Sequence, residues 1–263
     1  MKLLRFSTGG AARYGLLEGA EVVALPAETM AEAMACTDAN GPRYRLSAIT
    51  LLNPLPDARL FCIGLNYPKP HPLGGEVKGP ANISYFLKHQ AALVGPGQAL
   101  RLPGVSEQFD YECELAVVIG RGGHRIAEAD AMDHVGGYTI LNDGSVRDWQ
   151  AHSVTAGKNF FESGSIGPWV VTSDEVSEWQ DLTLRTRLNG KVVQDSKAGA
   201  MFFGIPALIA YLSTITPLRR KRGGFCVAPV PSGEPVAITS PGSSGDALEF
   251  EVDAIGVLRN AVG

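Results

Sequence analysis

The segment Asp110–Gly120, DYECELAVVIG, restricts the folds open to this 263-residue chain more than any other. Its second half, Leu115 to Ile119, is an unbroken aliphatic run and reads as a buried strand. Alternation along a strand puts Asp110, Glu112 and Glu114 on one face and Tyr111, Cys113 and Leu115 on the other. The two glutamates then lie about 7 Å apart along the strand, two residue rises. Acids at the mouth of an apolar core repel one another and resist desolvation. Two arrangements relieve this. A hard divalent cation, Mg²⁺ or Mn²⁺, prefers carboxylate oxygens. Alternatively, the acids form a solvated edge-strand face with lysine or arginine nearby.

A second segment bears on that choice. Gly137–Gln150 reads GYTILNDGSVRDWQ. Tyr138–Leu141 is strand-like and runs into Asn142-Asp143-Gly144, a turn signal. A carboxylate at a strand end, followed by glycine, can approach a ligand closely. Asp143 is therefore the candidate third oxygen ligand, supplied from a separate segment.

Composition narrows the class. With 45% apolar residues, the chain can bury one large domain, or one domain plus a small one. Its 31 glycines and 17 prolines favour a loop-rich, mostly β architecture over a helical bundle. A net charge of −4 without a long basic run argues against nucleic acid as a partner. No apolar stretch approaches the ~20 residues that span a bilayer. The N-terminus, MKLLRFSTGG, has no secretory apolar core. Cys36, Cys62, Cys113 and Cys226 show no CxxC spacing and read as reduced thiols of a cytoplasmic protein, with Cys113 pointing into the core.

Along the chain, residues 1–55 read as a small accessory β meander, with helical composition at Ala31–Ala35 and a proline-punctuated linker at Leu51–Asp57. Leu60–Gly64 and Ile83–Lys88 read as strands flanking a proline- and glycine-rich loop at 64–80. Ala92–Gln98 reads as a turn, Ile126–His134 as a short helix, Ala156–Asn159 as a loop and Trp169–Thr172 as a strand. Asn189-Gly190 is the strongest hairpin signal in the chain. Met201–Leu212 predicts a buried helix in which Pro206 bends the chain or marks the first turn. Ala247–Leu258 alternates as one antiparallel strand. Lys158 alone reads as a surface charge or a site lysine, Arg147–Asp148 as a structural pair, and His152 as a bystander.

DYECEL with its paired glutamates, ILNDGSVRD, GKNF followed by GSIGPWVVT, and the closing GVLRN occur here in order. Together they resemble the fumarylacetoacetate hydrolase family from about Leu60 to the C-terminus. The resemblance implies a mainly β (α+β) fold, a mixed β-sandwich or β-roll over residues 56–263, behind a small N-terminal β-rich domain. It implies Mg²⁺ or Mn²⁺, with Ca²⁺ as an alternative, on Glu112, Glu114 and Asp143. It further implies substrate contacts from Lys158 and Gln150, with Asn66 and Tyr67 shaping the site, and a homodimer. Many members carry NYxxH with a glutamate three residues on, a pair that activates water. Here His71 falls one residue late, Gly74 stands at the glutamate position, and Glu76 is the nearest acid. His71 and Glu76 are the candidate dyad, against an exposed loop histidine. In residues 222–233, Gly224 and Val230 replace the family's usual aspartate and threonine, while Pro231 and Gly233 persist.

The leading expectation is a metal-dependent hydrolase cleaving a C–C bond of a β-diketo acid, an acylpyruvate, through an enolate stabilised by the cation and Lys158. Two rivals stand beside it. One is a 2-oxo acid decarboxylase or keto–enol isomerase on the same site, which needs no activated water. The other is a catalytically impaired binding protein on this fold. No GxGxxG motif supports a dinucleotide enzyme.

Overall fold

The computed structural model describes residues 1–68, 79–219, 225–229 and 245–263. His71, Gly74 and Glu76 of the 64–80 loop, and Gly224, Val230, Pro231 and Gly233 of the 222–233 segment, lie outside the described residues.

The strand Cys113–Ile119 is buried at every position, because both of its faces meet a core. Cys113, Leu115, Val117 and Ile119 pack with Leu184, Leu248, Phe250 and Val252 of a second sheet, and with Ile205, Leu208, Ile209 and Leu212 of the helix Ile205–Ile215. Ala116 and Val118 face the other way, onto Leu3, Leu60, Cys62, Leu141, Ile166 and Val170, and onto Met30 and Ala33 of the short helix Met30–Ala35. This explains a strand sequence that is apolar throughout rather than alternating.

The fold is mostly β. Among the described residues, the large sheet runs in the order Arg43–Arg45, Glu21–Ala24, Arg13–Glu18, Lys2–Ser7, Gly164–Thr172, Val135–Asn142, Cys113–Ile119, Phe225–Pro229, Arg59–Gly64 and Ser84–Lys88. Neighbours on this path are antiparallel, except that Phe225–Pro229 runs parallel to Arg59–Gly64. The second sheet is ordered Lys191–Lys197, Thr183–Leu188, Ala247–Val252, Gly256–Val262 and Ala99–Leu100. The N-terminal meander joins the large sheet through Leu3, which pairs with Val170. No helix among the described residues is long and apolar enough to cross a membrane.

Local rules account for much of this. Asn189 (φ 50°) and Gly190 (φ 80°) both adopt positive φ, as a two-residue hairpin turn requires. Pro206 stands in the first turn of its helix, which begins at Ile205 rather than Met201, because proline needs no N–H partner there. Four expectations are corrected. Ala92–Gln98 is not only a turn, since Leu93–Val94 pairs parallel to Gly164–Ser165. Residues 154–157 form a helical turn, because Ser153 Oγ accepts from Ala156 N at 3.0 Å and caps it. The C-terminal segment is a hairpin, Ala247–Val252 and Gly256–Val262, turned by Ala254 at φ 63° and Gly256 at φ 139°.

The fourth correction matters most. Asp110–Gly120 is not one continuous strand. Phe109–Asp110 pairs separately with Ser145–Val146, and the ladder resumes only at Cys113. Side chains take over the backbone at the break. Asn142 Oδ1 accepts from Glu112 N (3.1 Å), and Gln194 Oε1 accepts from Cys113 N (3.0 Å). Simple alternation therefore does not place Glu112 relative to Glu114.

Candidate active site

Strand pairing gathers the acids at one end of the large sheet. Glu114 lies opposite Leu141, and Cys113 opposite Asn142. Asp143 is two residues past Leu141, diagonal to Glu114. Its N–H donates to Glu112 O at 2.9 Å, which locks the two segments together. Gly144 follows because no side chain fits: a Cβ there would meet Ser163 O at 1.7 Å. Glycine at this position thus serves the approach of the Ser163 backbone.

Asp110, Glu112, Glu114 and Asp143 are all buried. Three cations meet them. Lys158 Nζ bridges Glu112 Oε2 and Asp143 Oδ2, the latter at 2.7 Å. Lys88 Nζ lies 2.6 Å from Asp143 Oδ1 and donates to the backbone oxygens of Gly144 (3.2 Å) and Lys158. Arg147 holds Asp110 Oδ2 through Nε at 2.7 Å and Glu112 Oε1 through Nη2 at 2.7 Å. The Phe86 ring lies under Lys158, 5.6 Å from Nζ to the ring centre. Among the described residues, four carboxylates thus face three cations. The surplus acid among them is Glu114, whose two oxygens are buried and have no hydrogen-bond partner there.

The electrostatics follow from this imbalance. Burial, then the charges of Asp143 and Glu112, push Glu114 well above the ordinary carboxylate range, and Lys158 and Lys88 only partly offset them. Burial would also raise Asp143, but Lys158 and Lys88 outweigh it and hold Asp143 below its usual value. Burial would depress Lys158, yet Asp143, Glu112 and Glu114 outweigh that and lift it above the ordinary lysine range. These acids favour the ammonium form of Lys158.

A carboxylate with both oxygens orphaned in a dry pocket fits a cation, whose binding would satisfy those lone pairs and offset the desolvation cost. Ligand atoms of Glu114, Asp143 and Cys62 all lie within 4.8 Å of one another. The Glu112 carboxylate is shared between Arg147 and Lys158.

The sequence profile of the fumarylacetoacetate (FAA) hydrolase C-terminal family matches residues 59–263, and that of the Rv2993c-like N-terminal family matches residues 1–54. The chain belongs to the fumarylacetoacetate hydrolase family. Among its relatives, an oxaloacetate tautomerase of Xenopus laevis, fahd2, is 37% identical over 237 residues, covering 88% of this chain and 73% of the relative. An oxaloacetate tautomerase of Bacillus subtilis, YisK, is 37% identical over 229 residues, covering 84% and 75%. Solved structures of the family superpose over the whole chain. A fumarylacetoacetate hydrolase from Exiguobacterium antarcticum gives a TM-score of 0.86 at 28% identity, covering 100% of this chain and 99% of the other. A maleylpyruvate hydrolase from Sphingobium, in complex with manganese(II) and pyruvate, gives 0.79 at 25% identity, covering 100% and 98%.

Against the family's pattern, the fold brings Glu112, Glu114, Asp143 and Lys158 together, with Gln150 alongside through Arg147 Nη1, which donates to Gln150 Oε1 at 3.2 Å. Asn66 is buried, and both ends of its amide bond the backbone of Phe203, at 2.9 Å each. Tyr67 is also buried, its hydroxyl donating to Ala198 O at 3.3 Å. The expected Arg147–Asp148 pair is replaced. Arg147 turns to the buried Asp110 and Glu112, where an unmet charge costs far more than at the surface. Asp148 accepts from Ser106 Oγ instead, at 2.6 Å. His152 is exposed and edges the Trp149 ring at 4.8 Å.

Two residues escaped the sequence reading. Lys88 closes the strand Ser84–Lys88 and shares its buried face with Phe86. That alternation was a usable signal for a lysine turned inward. Cys62 carried none, since a cysteine in an aliphatic strand reads as core.

Proposed function

We propose that this protein is a divalent-cation-dependent keto–enol tautomerase of a 2-oxo dicarboxylic acid of the oxaloacetate type. Residues 56–263 form its catalytic domain and 1–55 a small accessory domain. The observation that carries the site chemistry is Glu114, with both oxygens buried and without partners beside Asp143. The reaction class draws on the two tautomerases that are 37% identical to this chain.

Glu112, Glu114 and Asp143 would hold Mg²⁺ or Mn²⁺, a Lewis acid that draws electrons from a 2-oxo group and makes the neighbouring C–H acidic. Lys158, which reaches Glu112 and Asp143, would supply positive charge beside the substrate's 2-oxo group and stabilise an enolate. Arg147 occupies the Gln150 carbonyl, which leaves the Gln150 amide nitrogen to meet a substrate carboxylate. The proton leaving C3 would pass to His71 backed by Glu76, and the same proton, returned directly or through solvent, would go to the enolate oxygen, so that no net proton is gained or lost. Tautomerisation requires no attacking water. Asn66 and Tyr67, fixed by their bonds to Phe203 and Ala198, would shape the site.

A second reading keeps the same residues and adds water attack: hydrolysis of a C–C bond in an acylpyruvate. The manganese- and pyruvate-bound maleylpyruvate hydrolase favours it. The deciding experiment uses EDTA-stripped protein, with Mg²⁺ or Mn²⁺ restored, beside Glu114→Gln. Faster enol–keto exchange of oxaloacetate that needs metal and vanishes in the variant supports the tautomerase. Two smaller acids formed from an acylpyruvate would move the assignment to the hydrolase. Saturable ligand binding without turnover would identify a binding protein. Light scattering would test the homodimer included in the proposal, and cell fractionation its cytoplasmic location.

A further inference from the structure

The proposed chemistry gives no role to Cys62, a buried thiol beside the acids. Cys62 lies on Arg59–Gly64, opposite Phe86 in register and fully buried. Its Sγ, a Glu114 oxygen and an Asp143 oxygen all lie within 4.8 Å of one another. A buried cysteine alone says nothing about ligands. The independent observation is Glu114, whose two orphaned oxygens belong to the same cluster. Asp143 already shares its charge with Lys88 and Lys158, at 2.6 and 2.7 Å. Glu114 oxygens take no hydrogen bond from either lysine among the described residues, and Cys62 Sγ lies beside them.

We propose that Cys62 is a sulfur donor of this site, so that Cys62, Glu114 and Asp143 together accept thiophilic divalent cations such as Zn²⁺, Co²⁺ and Cd²⁺. This rests on the reading that the site binds a divalent cation at all. Around a tetrahedral ion with ordinary metal–sulfur and metal–oxygen bonds, donor atoms sit about 3.6 Å apart. Side-chain rotations that draw the three donors inward by about 1 Å therefore suffice. The thiol proton passes to buffer as sulfur binds. Thiolate selects soft and borderline ions, whereas carboxylates alone favour Mg²⁺ and Mn²⁺. A mixed S/O set thus makes the site one where hard activating ions compete with thiophilic ones. Zn²⁺ or Cd²⁺ would then displace Mn²⁺.

The test uses the full-length, EDTA-stripped protein as wild type, Cys62→Ser and Cys62→Ala. Co²⁺ is followed by its sulfur-to-metal charge-transfer absorption, Cd²⁺ by calorimetry and Mn²⁺ by EPR. The expected result is a charge-transfer band in wild type that disappears in both variants. Cd²⁺ affinity should fall at least about tenfold, a loss that even outer-shell partners of a metal can produce. Mn²⁺ affinity should change less than Cd²⁺ affinity. If Mn²⁺ and Co²⁺ bind wild type without a band, or the band survives in the variants, Cys62 is not a ligand and the carboxylate site stands. If no ion binds wild type, both readings fall. Should both variants misfold, cadmium NMR of wild type decides. A resonance in the sulfur-ligated range supports the proposal, and one in the all-oxygen range overturns it.

Discussion

Two groups of ion pairs in this molecule use the same side chains to opposite effect. The second sheet carries Arg185–Asp195 (2.9 Å) and Arg259–Glu249 (2.7 Å), with Arg187–Glu251 between them in the ladder. Arg259 and Glu249 keep 65% and 31% of their side-chain surface in solvent, whereas Lys88 and Asp143 keep none. On the sheet, water screens each pair and replaces a lost partner, so each contributes little. Around Lys88, Lys158, Asp143 and Glu114, which are buried, no water replaces a partner, so each of those charges needs a protein group or a ligand. The buried group also fails to balance, while the exposed ladder never has to. That failure singles out Glu114.

The comparison can be broken by removing charges one at a time from metal-free protein, in order of expected effect on stability. Lys158→Met leaves Glu112 with Arg147 alone and Asp143 with Lys88 alone, and should cost about 3–5 kcal/mol in urea unfolding. With Mn²⁺ restored, turnover should fall about 10²–10³-fold relative to the metal-loaded wild type, the scale for losing one oxyanion donor. If Lys158→Met unfolds like wild type, the buried group behaves like the ladder and the contrast fails. Gly144→Ala drives a methyl group against Ser163 O and should cost about 1–3 kcal/mol, with metal affinity falling as Asp143 shifts.

Glu114→Gln should have the opposite sign. The folded state raises the Glu114 pKa, so it binds that proton more tightly than the unfolded chain does. Glu114's contribution is therefore most favourable below the ordinary carboxylate range and declines as pH rises through it towards the raised value. Glu114→Gln should flatten that decline in melts taken across pH and should abolish metal binding. Asp143, with its lowered pKa, contributes stability that is present above the ordinary range and lost as pH falls through its own. Wild-type protein with saturating Mn²⁺ should gain most in Tm at the higher pH values, where no proton competes for Glu114. A Tm gain that does not depend on pH would remove Glu114 from the site. The smallest effect is expected for Arg259→Ala, whose melting midpoint should match wild type.

Much of this was readable from local pattern. The aliphatic run after Glu114, the Asn189-Gly190 turn and the Pro206 helix start each rest on a rule acting over a few residues, and each holds. Reading failed where one segment's conformation depends on a distant one. The break at Tyr111–Glu112 is held by Asn142 and Gln194, 30 and 81 residues away from their backbone partners. Arg147 looked like a partner for its neighbour Asp148, but two buried acids made a stronger claim on it. The contribution of Lys88 to the site depends on Asp143, 55 positions later in the chain.

The amino-acid sequence by itself determined that this chain is mostly β, that acids stand at the ends of two apolar strands, and that its motifs are those of the fumarylacetoacetate hydrolase family. Those properties follow from side-chain periodicity and motif order along the chain. The tertiary structure alone decided which acid is left without a counter-charge. Pairing, burial and the reach of Lys88, Lys158 and Arg147 are set by strands meeting in space, and electrostatic energy in a dry interior depends on those distances rather than on separation along the chain.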